Sequence, residues 1–296
     1  MACQPDSILI CGTGALATFF AARLSAIGLR VTLLGSWQAG LDALNQDGAK
    51  LGDAAYPVRA LSDPRECQGA ELALVLVKAW QTERAARQLA ECLRPDGIAV
   101  SLQNGLGNHE ALAATLGLNR VKAAVTSLGA TLLGPGHVRP GGEGTTTLVA
   151  DPALDGLAAH LTESGLRVER SETVESLVWG KLVVNSAINP LTALFQIPNG
   201  KLLESPPARE IMRSLARETA QVAGLQAIAL PFDDPFAAVE EVVRRTASNF
   251  SSMYQDVLRG APTEIDAING AVARLGGDHA PLNRAVWTLV RGLGSW

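Results

Sequence analysis

Apolar positions in the first 170 residues come in short runs separated by stretches of helical spacing. Ser7–Cys11 is one such run, and it stops at Gly12-Thr13-Gly14. Phe19, Phe20, Leu24 and Ile27 then recur at helical spacing, with Gly28 placed to end the helix. Arg30–Leu34 reads as the next strand. Glu71–Val77 is almost continuously apolar, as expected of a strand covered on both faces. A helical pattern through Ala86, Leu89 and Leu93 follows, then a strand over Ile98–Leu102. From Arg120 the pattern predicts strands and turns: Val121–Ser127, a turn at Gly134-Pro135-Gly136, and Thr145–Ala150. A short helix, Leu154–Leu161, and a strand, Leu166–Glu169, close this half.

Beyond Ser171 the periodicity is helical almost throughout. Helices are predicted over Thr173–Leu194, Arg209–Ala223, Pro235–Phe250 and Thr263–Leu275, with a turn at Pro198-Asn199-Gly200. Pro190 is expected to kink or end the first of these just after Asn189. Thr263 is expected to cap the last and to put Glu264 in its first turn. Trp287–Trp296 reads as a short helix followed by a Gly-Ser-Trp tail. Alternation followed by helices alone predicts an α/β N-terminal Rossmann-type domain with a parallel sheet, residues 1–170, and an all-α C-terminal domain, residues 171–296.

Composition narrows the function classes. The 296 residues are 47% hydrophobic and 18% charged, with a net charge of -4, which gives no electrostatic reason to expect nucleic acid or an anionic membrane as partner. Cys3, Cys11, Cys67 and Cys92 form no C-x-x-C and have no ligand-like spacing to the four histidines. Neither a metal site nor a disulfide framework is expected, and a reducing compartment fits. Met1–Asp6 lacks the order of a signal peptide, and no run of about 18 apolar residues occurs. A cytoplasmic protein, monomer or homodimer, is the expectation. His109, His137, His160 and His279 sit in no nucleophile context, which speaks against a hydrolase.

Candidate chemistry lies in two places. Gly12-Thr13-Gly14-Ala15-Leu16-Ala17 is a G-x-G-x-x-A turn between strand and helix, where backbone can approach a pyrophosphate at a helix N-terminus. The alternative is a tight turn with no ligand. An acid at the end of the second strand would hold a ribose, and an arginine would attract a 2′-phosphate; Ser36 and Trp37 are neither. Lys78 and Asn104 follow two further strands on the same edge, where open α/β sheets place ligand contacts. The second place is the segment Trp179–Pro190. On a helix, Lys181, Asn185 and Asn189 fall within roughly 80° of one another. They form a polar stripe with one ammonium and two amides on an otherwise apolar segment, which suggests burial of an orienting site. One exposed lysine above two helix-end asparagines fits the stripe as well.

Over almost its whole length the chain resembles the ketopantoate reductases. The stretches that carry the resemblance are the glycine turn; Lys78-Ala79-Trp80-Gln81; Gln103-Asn104-Gly105-Leu106-Gly107; Lys181 through Ala193; Pro198-Asn199-Gly200; Ser251–Asp256; and Thr263–Gly270. The resemblance implies NADPH-dependent reduction of 2-dehydropantoate to pantoate, a step of pantothenate biosynthesis, in a cleft between a Rossmann domain and a helical domain. By position it implies Lys181 as the catalytic lysine and Glu264 as the acidic residue near both ligands. Asn185, Asn189, Asn199, Asn249 and Ser252 match substrate-binding residues. Lys78, Asn104 and Ala130, with the glycine turn, match cofactor contacts. Ser36 stands where members often carry an arginine for the 2′-phosphate, so NAD stays open beside NADP. Ala261 occupies a position that is often basic, which leaves the particular 2-oxo acid open. Two other readings remain: a related dehydrogenase acting on another 2-oxo or 3-hydroxy acid, and a non-catalytic dinucleotide-binding sensor.

Overall fold

The structure, a computed structural model, describes residues 7–293; Met1–Asp6 and the Gly294-Ser295-Trp296 tail lie outside it. The chain divides into two compact units, one of the described residues up to Gln103 together with Asn108–Val174, the other of Asn104–Gly107 and the residues from Glu175 onward.

The first unit begins with β1 (Ser7–Cys11), α1 (Ala15–Ala26), β2 (Arg30–Leu34) and α2 (Gln38–Asp47). Three short strands follow, β3 (Ala49–Leu51), β4 (Ala54–Tyr56) and β5 (Arg59–Leu61), then β6 (Ala70–Val75), α3 (Thr82–Cys92), β7 (Leu93–Ser101) and α4 (Asn108–Leu116). The unit closes with β8 (Val121–Thr126), β9 (Ala130–Gly134), β10 (His137–Pro140), β11 (Thr145–Val149), α5 (Asp155–Glu163) and β12 (Arg167–Ser171). Eight strands form one sheet in the order β12-β11-β8-β7-β6-β1-β2-β5. All its pairs are parallel except β11 with β8. Strand order reverses at β1, between β2 and β6, which makes the carboxyl end of β1 the switch point where open α/β sheets bind ligands.

Strict alternation along β1 explains its central place. Ile8 and Ile10 enter one core, with α1 and α5; Leu9 and Cys11 enter the other, with α3 and α4. α1 is apolar nearly all round, and its residues from Ala17 to Ala22 are all buried, because β3, β9 and β10 of a second, four-stranded sheet (β4-β3-β10-β9) pack on it as well. That small sheet was not visible in the periodicity, since its strands are only three to five residues long. Leu93, expected on the helix before it, opens β7 instead.

The second unit is helical: α6 (Val174–Phe195), α7 (Lys201–Glu204), α8 (Pro206–Leu225), α9 (Pro235–Arg245), α10 (Ser252–Leu258), α11 (Asn269–Gly276) and α12 (Pro281–Gly292). α6 is its axis, sending Val183, Ala187, Ile188 and Leu191 into one core and Trp179, Leu182 and Ala193 into another. Three expectations need correction. Pro190 does not end α6, which runs on to Phe195. A proline lacks the N–H that would bond the carbonyl four residues back, here Ser186 O, and Asn269 Nδ2 supplies that bond at 2.9 Å instead. The helix expected to run to Phe250 stops at Arg245. The last correction concerns Thr263, which caps no helix: residues 264–268 form turns, closed by Ala267 N and Ile268 N donating to Glu264 O at 3.1 Å each, and α11 starts only at Asn269.

Candidate active site

In the first unit the glycine turn caps α1. Gly12 has φ +126°, and a Cβ there would sit 2.9 Å from Leu76 O, so backbone geometry and packing both demand glycine. Gly14 is exposed, and nothing lies within 4 Å of where its Cβ would be. It is the N-cap of α1, with no side-chain cap and no acid in the first turn. The first N–H groups of α1 thus face an open approach at the positive end of the helix, which is what a pyrophosphate requires. Thr13 is buried beneath, so close to Gly35 that a Cβ on Gly35 would come within 2.7 Å of its methyl. Ala15 and Leu16 are half-buried and Ala17 is fully buried against the core. Ser36 and Trp37 are exposed just past the carboxyl end of β2. Ser36 offers a hydroxyl but no charge to a ribose phosphate.

Lys78 is half-buried at the start of a turn after β6, its backbone N–H donating to Gln81 Oε1 at 3.3 Å. Gln103, after β7, donates to Val77 O (3.0 Å) and to Thr82 Oγ1 (2.7 Å), and Thr82 Oγ1 lies 2.8 Å from Asn108 Oδ1. This network fixes the two strand-end loops to each other. Ala130 is half-buried at the head of β9, across from Pro140.

In the second unit Lys181, Asn185 and Asn189 share one side of α6. Asn189 is buried, and Lys181 and Asn185 are half-buried, so the stripe is not an open solvated face. Among the described residues, neither asparagine engages its side-chain amide with another protein group, which leaves both available to a ligand. Burial draws the Lys181 ammonium down to about 8, while the negative charge of Glu264 pulls the other way. Glu264 is itself buried, and its Oε2 accepts from Asn104 Nδ2 at 3.1 Å. Asn104 reaches it because Leu106 N donates to Ala267 O at 2.9 Å, and Gly105 (φ +80°) passes where a Cβ would meet Ala267 O at 2.5 Å. The amine, the carboxylate and this amide form one polar cluster in a largely apolar interior. Chemically, an ammonium in such a cluster is able to donate a proton to an oxygen that gains negative charge.

The remaining predicted residues sit further along. Asn199 is buried; its Nδ2 donates to Thr246 Oγ1 at 2.9 Å, and its Oδ1 has no hydrogen-bond partner among the described residues. Its backbone N–H donates to Asn249 O at 3.0 Å, tying it to the loop before α10. Asn249 and Ser252 are exposed on that loop and at the start of α10. Ser251 between them is buried, caps α10 through Tyr254 N (3.1 Å) and accepts from Thr192 Oγ1 of α6 at 2.7 Å. Sequence reasoning gave Asn104 to the nucleotide and did not see its bond to Glu264. Among the described residues no cluster of side chains is built to hold a metal ion, and no helix is long and apolar enough to cross a membrane.

Residues 8–152 match the family model "Ketopantoate reductase PanE/ApbA", and residues 173–294 match its C-terminal counterpart. A 2-dehydropantoate 2-reductase of Archaeoglobus fulgidus is 36% identical over 97% of this chain and 98% of its own. The chain belongs to the ketopantoate reductase family. It is thus an oxidoreductase of a two-unit, Rossmann-like and helical design. Among solved structures, a PanE/ApbA family ketopantoate reductase from Ralstonia eutropha JMP134 superposes with a TM-score of 0.91 at 33% identity, over 98% of each chain. D-mandelate dehydrogenase, in a ternary structure with NADH and anilino(oxo)acetate, has a TM-score of 0.89 at 26% identity, again over 98% of each chain.

Proposed function

We propose that the protein reduces 2-dehydropantoate to pantoate with NADPH, within pantothenate biosynthesis, and that Lys181 is the general acid. The observation that carries this reading is the placement of half-buried Lys181, on one helix face with two uncommitted amides, where it interacts with the charge of the buried Glu264 carboxylate; burial brings its ammonium down to about 8. When bound, reduced nicotinamide supplies the hydride. Lys181 Nζ gives its proton to the carbonyl oxygen as that oxygen becomes an alkoxide, is left as a neutral amine, and regains a proton from solvent. Glu264 favours the charged form of the lysine before the transfer. Asn185 and Asn189 orient the carbonyl, while Asn199, Asn249 and Ser252 hold the rest of the substrate. Gly12, Thr13, Gly14, Ala15, Leu16 and Ala17 receive the pyrophosphate, and Ser36, Lys78, Asn104 and Ala130 complete the nucleotide's contacts. Initial rates with ketopantoate and each nicotinamide in turn test the reading. Lys181→Ala is expected to lower kcat by about 10²–10⁴-fold with nucleotide binding intact; near-normal turnover would remove Lys181 from the role.

A second reading is NADH-dependent reduction of a different 2-oxo acid. It is favoured by the uncharged Ser36 and by the similarity to D-mandelate dehydrogenase with NADH. A panel of aliphatic and aromatic 2-oxo acids, run with both nucleotides, separates the two: faster turnover of an aromatic 2-oxo acid with NADH would replace the first reading by the second.

A further inference from the structure

Pro190, directly after Asn189, interrupts the hydrogen-bond ladder of α6 and leaves Ser186 O, next to Asn185, without its helical donor. That carbonyl is buried in a packed interior, where an unmet acceptor is costly. Asn269 Nδ2 meets it at 2.9 Å and also donates to Asn283 Oδ1 at 2.9 Å. Asn283 Nδ2 donates to Glu218 Oε2 at 2.9 Å, and Glu218 in turn accepts the first N–H groups of α12, Leu282 N and Asn283 N, at 2.9 Å each. The Glu218 carboxylate accepts only, so it sets the direction of every amide in the chain and points the Asn269 donor at Ser186 O. Asn269 and Asn283 are fully buried. Asn269 also ends the turn that starts at Glu264, whose carbonyl accepts from Ala267 N and Ile268 N.

We infer that Asn269 is a positioning residue for the reduction: by taking the carbonyl that Pro190 frees, it locks the Glu264 turn against the Lys181–Asn189 face of α6. The donor side of its amide matters, since Asn269 Oδ1 has no partner among the described residues. The inference rests on the proposed role of Lys181 and deepens it.

A double-mutant cycle tests it, because Pro190→Ala restores the backbone N–H that Asn269 replaces. Asn269→Ala is expected to lower kcat for the 2-oxo acid at least tenfold while the KM for NADPH stays within about twofold. Pro190→Ala/Asn269→Ala satisfies Ser186 O from within the helix but leaves the Glu264 turn untied, so it is expected to recover stability while kcat stays at least tenfold below that of Pro190→Ala alone. Asn269→Asp, which keeps the volume but opposes oxygen to Ser186 O, is expected to be at least as damaging as Asn269→Ala and to be poorly rescued. Should Asn269→Ala fail to fold, the double variant, whose Ser186 O is satisfied by the restored backbone N–H, carries the kcat measurement in its place. Full recovery of kcat in the double variant, or an Asn269→Ala enzyme with normal kcat, would overturn the inference while leaving the role of Lys181 standing. A wild-type protein that turns over no 2-oxo acid would overturn the functional reading, and this inference with it.

Discussion

At the scale of single residues, the environment of Lys181 makes a signed prediction. Burial has lowered its pKa to about 8, and a general acid must be protonated, so the rate of reduction is expected to fall as pH rises through about 8. Glu264 opposes the lowering. Glu264→Gln removes that charge and is expected to move the alkaline fall to lower pH, as a pH profile of kcat would record; an unmoved profile would mean that the two groups do not interact. The shared face of Lys181, Asn185 and Asn189 was legible from spacing, but its burial was not, since an exposed stripe has the same spacing. The bond of Glu264 to Asn104 was not legible either, since the partners are 160 positions apart and neither local pattern refers to the other. Gly14 offers a second residue-level prediction. Its φ of -83° suits any residue and its surroundings are open, so Gly14→Ala should cost no more than the exchange of a glycine for an alanine N-cap, about 1 kcal/mol. Its methyl would occupy the approach to the N-terminus of α1, so nucleotide affinity should drop, as fluorescence titration would show. Unchanged affinity would place the pyrophosphate elsewhere.

At the scale of elements, the strands and helix around the switch point were legible as apolar runs bounded by glycines, with Gly12 and Gly14 before α1 and Gly28 after it. Reading Pro190 as a kink or end of the helix left open where its orphaned carbonyl would be satisfied; the helix runs on to Phe195, and a side chain from α11 meets that carbonyl. Reading Thr263 as a cap assumed that helical spacing from Ile265 to Ile268 meant helix, whereas those side chains are buried from a run of turns that presents Glu264. Ser251 shows how an element boundary serves the site. Its hydroxyl caps α10 and meets Thr192 of α6, so Ser251→Ala should cost about 1–2 kcal/mol in unfolding free energy and raise KM for the 2-oxo acid more than for NADPH. A loss confined to stability would show that the loop bearing Asn249 and Ser252 does not depend on this anchor.

At the scale of the whole molecule, each unit has cores of its own, and the residues proposed for the nucleotide and for the proton sit largely in different units. Binding and chemistry should therefore separate under mutation. A nucleotide at about one hundred times its Kd stabilises the state that binds it by about 2.7 kcal/mol, which for a unit of this size is a rise in Tm on the order of 5–10 °C. Wild type and Lys181→Ala are expected to show the same rise with NADPH although only the first turns over. Gly14→Ala is expected to start close to the wild-type Tm and to lose most of the rise. NADH at equal concentration reads the part played by Ser36: with no charge there for the 2′-phosphate, discrimination falls to Lys78 and neighbouring loops, and NADPH is expected to give the larger shift. A Lys181→Ala protein that loses the shift together with turnover would mean that the lysine holds the nucleotide rather than protonating the product, and the division of labour between the units would fail.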